Sequence, residues 1–209
     1  MTHLNSPAMA EEEIHEFEVA EGEEEREALE QLDPEVLARR EAALRLVRKF
    51  GDPVLKSKAA AVTVFDDALQ AEVAEMGRIM HDSLGIGLAA NQIGRLRRVL
   101  VYRVEDDSPV QALVNPVLEW SSKDEEWFQE GCLSLPRVHV DVERPVHVRV
   151  RAQDASGAEI LVEASGFEAR VIQHEMDHLD GTLILDRTPR DQRKDAMRTL
   201  RELDDEAAA

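Results

Sequence analysis

The segment HEMDHLDGTLI, His174 to Ile184, carries residue types at a spacing that can do chemistry. Two histidines four positions apart on a helix share one face, with the Glu175 carboxylate beside the first. That arrangement belongs to metal-dependent hydrolases. A catalytic centre of this kind uses three protein ligands and leaves a fourth position for water. In one large protease class a glycine and then a third histidine follow at three-residue intervals. Here Gly181 matches the glycine, but Ile184 stands where the ligand should be. The third ligand must therefore come from another part of the chain.

Two residues compete for that place. Cys132, the only cysteine, lies in EGCLSLP, a loop-like turn between Gly131 and Pro136. A lone cysteine is ordinarily a small buried hydrophobe. Beside a helix that is one ligand short, however, a thiolate with two neutral imidazoles suits zinc or ferrous iron. Glu202, further along in a highly charged segment, is the carboxylate alternative used by a second protease class. The other histidines (His3, His15, His81, His139 and His147) read as surface or structural residues.

A second unusual stretch is GIGLAANQIG, Gly85 to Gly94. No Gly-Lys-Ser/Thr follows, so it is not a phosphate-binding loop. Its small residues suit either a tight connection under a neighbouring strand or the close approach of a substrate backbone. In the second case Gln92 offers an amide donor for an oxyanion.

The elements that must position these residues follow from periodicity. Residues 35–49 read as a helix behind Asp33-Pro34, and residues 66–83 as another with Leu69, Val73, Met76 and Met80 inward. RVLVYRV, VQALVNPVLEW, VHVDVE, VHVRVRAQD and EILVEA read as short strands. No helical crossovers separate them, so antiparallel sheets and an α+β class are expected. SGFEARVIQHEMDHLDG reads as a helix with a Ser165/Glu168 capping box and a left-handed stop at Gly181. At ~100° per residue, Phe167, Val171, His174 and His178 share one ~60° stripe, so the imidazoles face the interior. Residues 190–205 read as a final polar helix.

Charge is spread unevenly. Residues 1–40 hold 13 Asp/Glu against 3 Lys/Arg, which is −10 of the total −19. Residues 1–42 are thus expected to be an acidic extension, largely disordered or a peripheral helix. Residues 43–190 form the expected catalytic domain, and 191–209 a C-terminal helix and tail. No apolar run approaches the ~20 residues that span a bilayer, and no secretory or organelle leader is legible. A single cysteine fits a reducing cytoplasm. So acidic a chain is a poor unspecific binder of nucleic acid.

Taken in order, GIGLAANQ at 85–92, EGCLS at 130–134 and QHEMDH at 173–178 resemble peptide deformylases, as does GDPVL at 51–55. The resemblance covers roughly residues 43–190. It implies antiparallel sheets around the helix that bears the histidines. It also implies ferrous iron as the native metal, with zinc, nickel or cobalt able to replace it. Cys132, His174 and His178 match the ligands, and Glu175 matches the catalytic acid/base. Gln92 and the Leu133 N–H match the oxyanion donors, Ile86 and Gly87 the edge that carries the substrate peptide, and Glu130 a residue bordering the pocket for the first methionine. His139 replaces an Arg that some members carry near the substrate's far end. The implied partners are nascent N-formyl-methionyl polypeptides, with transient ribosome contact through the C-terminal helix.

Overall fold

The structure, a computed structural model, describes residues 32–105 and 108–208. Most of the acidic extension therefore lies outside the described residues. Helix α1, Pro34–Leu44, starts as the sequence predicts: Asp33 caps it by accepting from the Glu35 N–H at 2.7 Å, with Pro34 in the first turn. It ends five residues before the expected Lys49. Beyond Leu44, backbone donors are taken by distant loops, Arg48 N–H by the Gln92 carbonyl (2.6 Å) and Phe50 N–H by that of Ser134 (2.9 Å). Those tertiary bonds outcompete helix continuation. A 3-10 turn, Pro53–Lys56, follows.

Helix α2, Asp67–Asp82, is capped by Asp66 and turns Leu69, Met76 and Met80 into the interior. The main sheet comprises β1 (Gly87–Ala89), β2 (Val99–Tyr102), β3 (Gln111–Ser121), β6 (His147–Gln153) and β7 (Glu159–Ser165), all antiparallel and in that order. The remaining strands, β4 (Glu125–Cys132) and β5 (Leu135–Pro145), form a separate hairpin. Helix α3, Gly166–Leu179, packs against the main sheet, while short α4 (Ile184–Arg187) and α5 (Arg190–Ala208) pack on the hairpin.

Strand β2 explains how the sheet is held. All four of its residues are buried because it is covered on both faces. Leu100 joins Leu113, Ile172 and Leu179 on the α3 side, whereas Val99 and Val101 join Met76, Ile79 and Met80 on the α2 side. Each such fully buried leucine or isoleucine contributes about 2–5 kcal/mol, judged by truncation to alanine.

Two strands are absent from the sequence expectations. β1 has three residues and no β-branched side chain. β4, EEWFQEGC, lacks alternation and starts with exposed residues, but pairs along most of its length with the regular β5. The expected loop at Cys132 thus becomes a strand end, with Cys132 opposite Leu135 and only Leu133 and Ser134 turning between them. A register irregularity between Glu130 and Cys132 bends the strand there, as bulges do when they re-aim a side chain.

The expected capping box on α3 is also absent. Ser165 is the N-cap residue, but its hydroxyl bonds His147 Nδ1 at 2.8 Å, and Glu168 accepts from the Tyr102 hydroxyl at 2.9 Å. Gly181 does adopt the left-handed conformation (φ +73°), and a Cβ there would run into the Lys56 carbonyl.

Candidate metal centre

Helix α3 lays His174 and His178 one turn apart on its inward face. Their rings meet edge to face, with centroids 5.0 Å apart and planes at 73°. The hairpin delivers Cys132 to the same point, its Sγ 3.3 Å from His178 Nε2. One donor atom from each of Cys132, His174 and His178 lies within 4.8 Å of the others. Of the two residues that compete as third donor, Cys132 converges with the histidines, while Glu202 is exposed on α5.

The electrostatics fit a cation. Burial would lower the pKa of His174, but Cys132 and Glu130 raise it well above the usual imidazole value. Burial, aided by His174 and Arg144, holds His178 well below it. His178 thus offers a neutral lone pair, with the Cys132 sulfur at hydrogen-bonding distance from its Nε2. Such a donor set suits a single divalent metal of borderline softness.

Glu130 underlies this arrangement. Its carboxylate accepts from Arg144 (2.6 and 2.9 Å), from Arg170 (2.8 Å) and from His174 Nδ1 (2.9 Å). Burial alone would raise its pKa, but Arg144 and His174 hold it well below the usual carboxylate range. Glu130 lines the cavity, and its oxygens are committed to orienting His174 so that the other ring nitrogen faces the sulfur. Arg144 also reaches Asp177 at 2.8 Å, joining hairpin to helix.

Arg144 and Arg170 were not anticipated, although a signal existed. Val138, Val140, Val142 and Arg144 are all buried at period two on β5, so an arginine sits in an inward register and requires a carboxylate partner. Lys49 was missed as well. Its ammonium donates to the Leu133 carbonyl at 2.7 Å and so ties down the hairpin tip.

Gln92 sits in a 3-10 turn, Ala90–Ile93, and is 1% exposed. Its Oε1 accepts from the Ala89 N–H at 2.9 Å, which aims Nε2 at Ser134 Oγ (3.3 Å) and Cys132 Sγ (3.7 Å). Leu133 turns at the hairpin tip and lines the cavity. A Cβ built on Gly87 would overlap the Glu175 carboxylate. The missing side chain at Gly87 is therefore what lets Glu175 lie against β1. Ile86, next to it, accepts from the Arg103 N–H at 2.8 Å.

These groups open into a cavity of about 590 Å³ whose apolar lining includes Ile86, Phe128, Leu133, Phe167 and Val171. The dimensions suit one extended peptide end. Cys132 and His174, which could hold a metal together with His178, thus face with a buried carboxylate and an amide donor a cleft with an apolar wall, a combination suited to polarised hydrolysis of an amide.

Comparison with known proteins converges on one family. A family model described as polypeptide deformylase matches residues 44–194. Peptide deformylase 1 of Corynebacterium glutamicum is 44% identical over 161 residues, covering 76% of this chain and 95% of that protein. The peptide deformylase of Thermotoga neapolitana is 45% identical over 141 residues, covering 68% and 85%. Among solved structures, a peptide deformylase from Legionella pneumophila superposes with a TM-score of 0.73 at 35% identity, over 78% of this chain and 96% of the other. One from Synechococcus elongatus in complex with actinonin gives 0.71 at 41% identity, over 73% and 85%.

Proposed function

The chain belongs to the polypeptide deformylase family, and from that premise we propose how its own residues divide the work. The protein is a metal-dependent hydrolase that removes the N-formyl group from the N-terminus of newly made formyl-methionyl polypeptides, releasing formate. Cys132, His174 and His178 hold the metal. The convergence of their donor atoms within 4.8 Å is the observation that carries this reading. Ferrous iron is the native ion, with Zn2+, Ni2+ or Co2+ able to replace it, since a thiolate with two imidazoles accepts all of them. When bound, the metal supplies the Lewis acidity that makes water a competent nucleophile near neutral pH.

The protein's residues perform the remaining steps. The substrate end lies along Ile86 and Gly87, with its first side chain against the apolar wall and Glu130 at that pocket's border. Glu175 accepts a proton from the attacking water. As water adds to the formyl carbon, negative charge gathers on the formyl oxygen, where Gln92 Nε2 and the Leu133 N–H donate to it. One such donor typically contributes ~3–4 kcal/mol to the transition state. Glu175 then passes its proton to the nitrogen as the carbon–nitrogen bond breaks, leaving a free amine and formate. A formyl carbon bears only hydrogen, so the crowded junction of Gly87, Glu175 and Leu133 admits it and excludes larger acyl groups. Turnover of formyl- and acetyl-Met peptides by the iron-loaded protein tests this; equal rates would contradict it.

Residues 43–190 serve as the catalytic unit, and α5 is assigned transient contact with the ribosome. Ala196 and Leu200 anchor that helix, leaving Arg193, Lys194, Arg198 and Arg201 exposed. Reversing those four charges should abolish a salt-sensitive association with ribosomes, and unchanged binding would remove the assignment. No described helix is long and apolar enough to cross a membrane. The cytoplasm, where nascent chains emerge, is the proposed place of action.

A further inference from the structure

We propose that residues 48–50 act as a bracket that holds the two oxyanion donors at a fixed separation, with Lys49 as its positioning residue. The inference rests on the assignment of Gln92 and the Leu133 N–H as those donors, and adds what aligns them.

The two donors come from different parts of the fold. Gln92 belongs to the 3-10 turn that follows β1 of the main sheet, whereas Leu133 sits at the tip of the separate β4–β5 hairpin. Among the described residues no strand ladder joins the two. Gln92 Nε2 does reach the hairpin, at Ser134 Oγ (3.3 Å) and Cys132 Sγ (3.7 Å). Those bonds occupy the same amide that must turn to the formyl oxygen, so a different set of contacts must hold the pair while charge develops.

Three consecutive residues supply that hold. The Arg48 N–H donates to the Gln92 carbonyl at 2.6 Å, Lys49 Nζ to the Leu133 carbonyl at 2.7 Å, and the Phe50 N–H to the Ser134 carbonyl at 2.9 Å. Both carbonyls of the two-residue hairpin tip are therefore engaged, and turning Leu133 out of line would break at least one of these bonds. Gly94 ends the Gln92 turn in the left-handed conformation (φ +80°), and a Cβ there would stand 3.0 Å from Arg48 Nε. The absent side chain leaves room for the bracket to lie against the turn.

Only the Lys49 bond is made by a side chain, and it is the charged one. Lys49 lines the cavity together with Gln92, Cys132 and Leu133, and burial lowers its pKa. A half-buried cation is a costly way to close a turn. It gives in return a charge-assisted bond, stronger than a neutral one, on the residue whose N–H must not move.

The test compares the parent, Lys49→Met, Lys49→Arg, Gln92→Ala and the Lys49→Met/Gln92→Ala double variant as full-length, iron-loaded proteins. Metal content, kcat and KM for one formyl-Met peptide are measured on the same samples. Lys49→Met should keep one metal per chain and a KM within about twofold of the parent, while kcat falls by about 10–10²-fold, since a misplacement of about 1 Å costs up to ~10²-fold. Lys49→Arg, which still donates a charged hydrogen bond, should recover most of that loss. The double variant should be about threefold or more faster than the product of the single losses predicts, because donors that act as a unit do not contribute independently. Should Lys49→Met fail to fold, Lys49→Gln replaces it with the same expectations. Loss of metal from the Lys49 variant would overturn the proposal, because the residue would then brace Cys132 and not the oxyanion pair. A rise in KM alone, or losses that multiply in the double variant, would overturn it as well. A loaded parent that turns over no formyl-Met peptide would overturn the deformylase reading itself.

Discussion

At the residue scale, ligation and proton transfer belong to different side chains, and substitution should separate them. Glu175→Gln should keep one metal per chain while kcat falls by about 10²–10⁴, the usual worth of a general acid/base. Gly87→Ala should reach a similar end by geometry: its methyl displaces the Glu175 carboxylate, and a misplacement of about 1 Å costs ~10²-fold. Metal analysis and steady-state kinetics on the same samples check both. Loss of metal from Glu175→Gln would contradict the division of roles. His174, Glu175 and His178 were legible in the sequence because their spacing lies within one helix. The lone cysteine was legible once a ligand was missing. Lys49 and Arg170 were not, since their meaning depends on partners 84 and 40 positions away.

At the element scale, the β4–β5 hairpin and the short pieces around it decide whether Cys132 reaches the histidines. Asp186 in α4 ties one of those pieces, accepting from Lys56 Nζ at 2.5 Å and from the Leu183 N–H at 2.8 Å. Burial would raise its pKa, but Lys56 and the Leu183 amide hold it below the ordinary carboxylate range. A carboxyl group depressed in the folded state stabilises the fold above its unfolded pKa and loses that contribution as pH falls through the folded value. Asp186→Asn should therefore lower Tm by about 2–4 °C at neutral pH, equivalent to ~1 kcal/mol in a chain of this size. The gap between the two proteins should stay constant down to about pH 5 and close below about pH 4. Thermal melts across that range check the sign, and a gap that widened in acid would refute it. Helices with their own caps and stripes, such as α2, were readable from sequence. β4 was not, because its strand character comes from β5 and not from its own residues. The early end of α1 was hidden for a similar reason, since Gln92 and Ser134 capture the backbone donors that would have extended it.

At the scale of the whole molecule, the antiparallel sheet, α3 and the hairpin meet at one point, and that meeting is what the α+β architecture accomplishes. The class was legible from alternating segments without helical crossovers; the separation of the hairpin from the main sheet was not, because no local pattern distinguishes which strands will pair. The acidic balance of the chain, concentrated ahead of Asp33, leaves the catalytic region only mildly charged. The claim on which the rest depends is that Cys132 completes a metal centre with His174 and His178. It is tested most directly by cobalt-substituted protein, comparing the parent with Cys132→Ala for metal content, near-ultraviolet sulfur-to-cobalt absorption and deformylation of a formyl-Met peptide. The expected result is one cobalt per chain with a thiolate band and turnover in the parent, and loss of all three in the variant. Full cobalt binding, undiminished turnover and an unchanged spectrum in Cys132→Ala would contradict it.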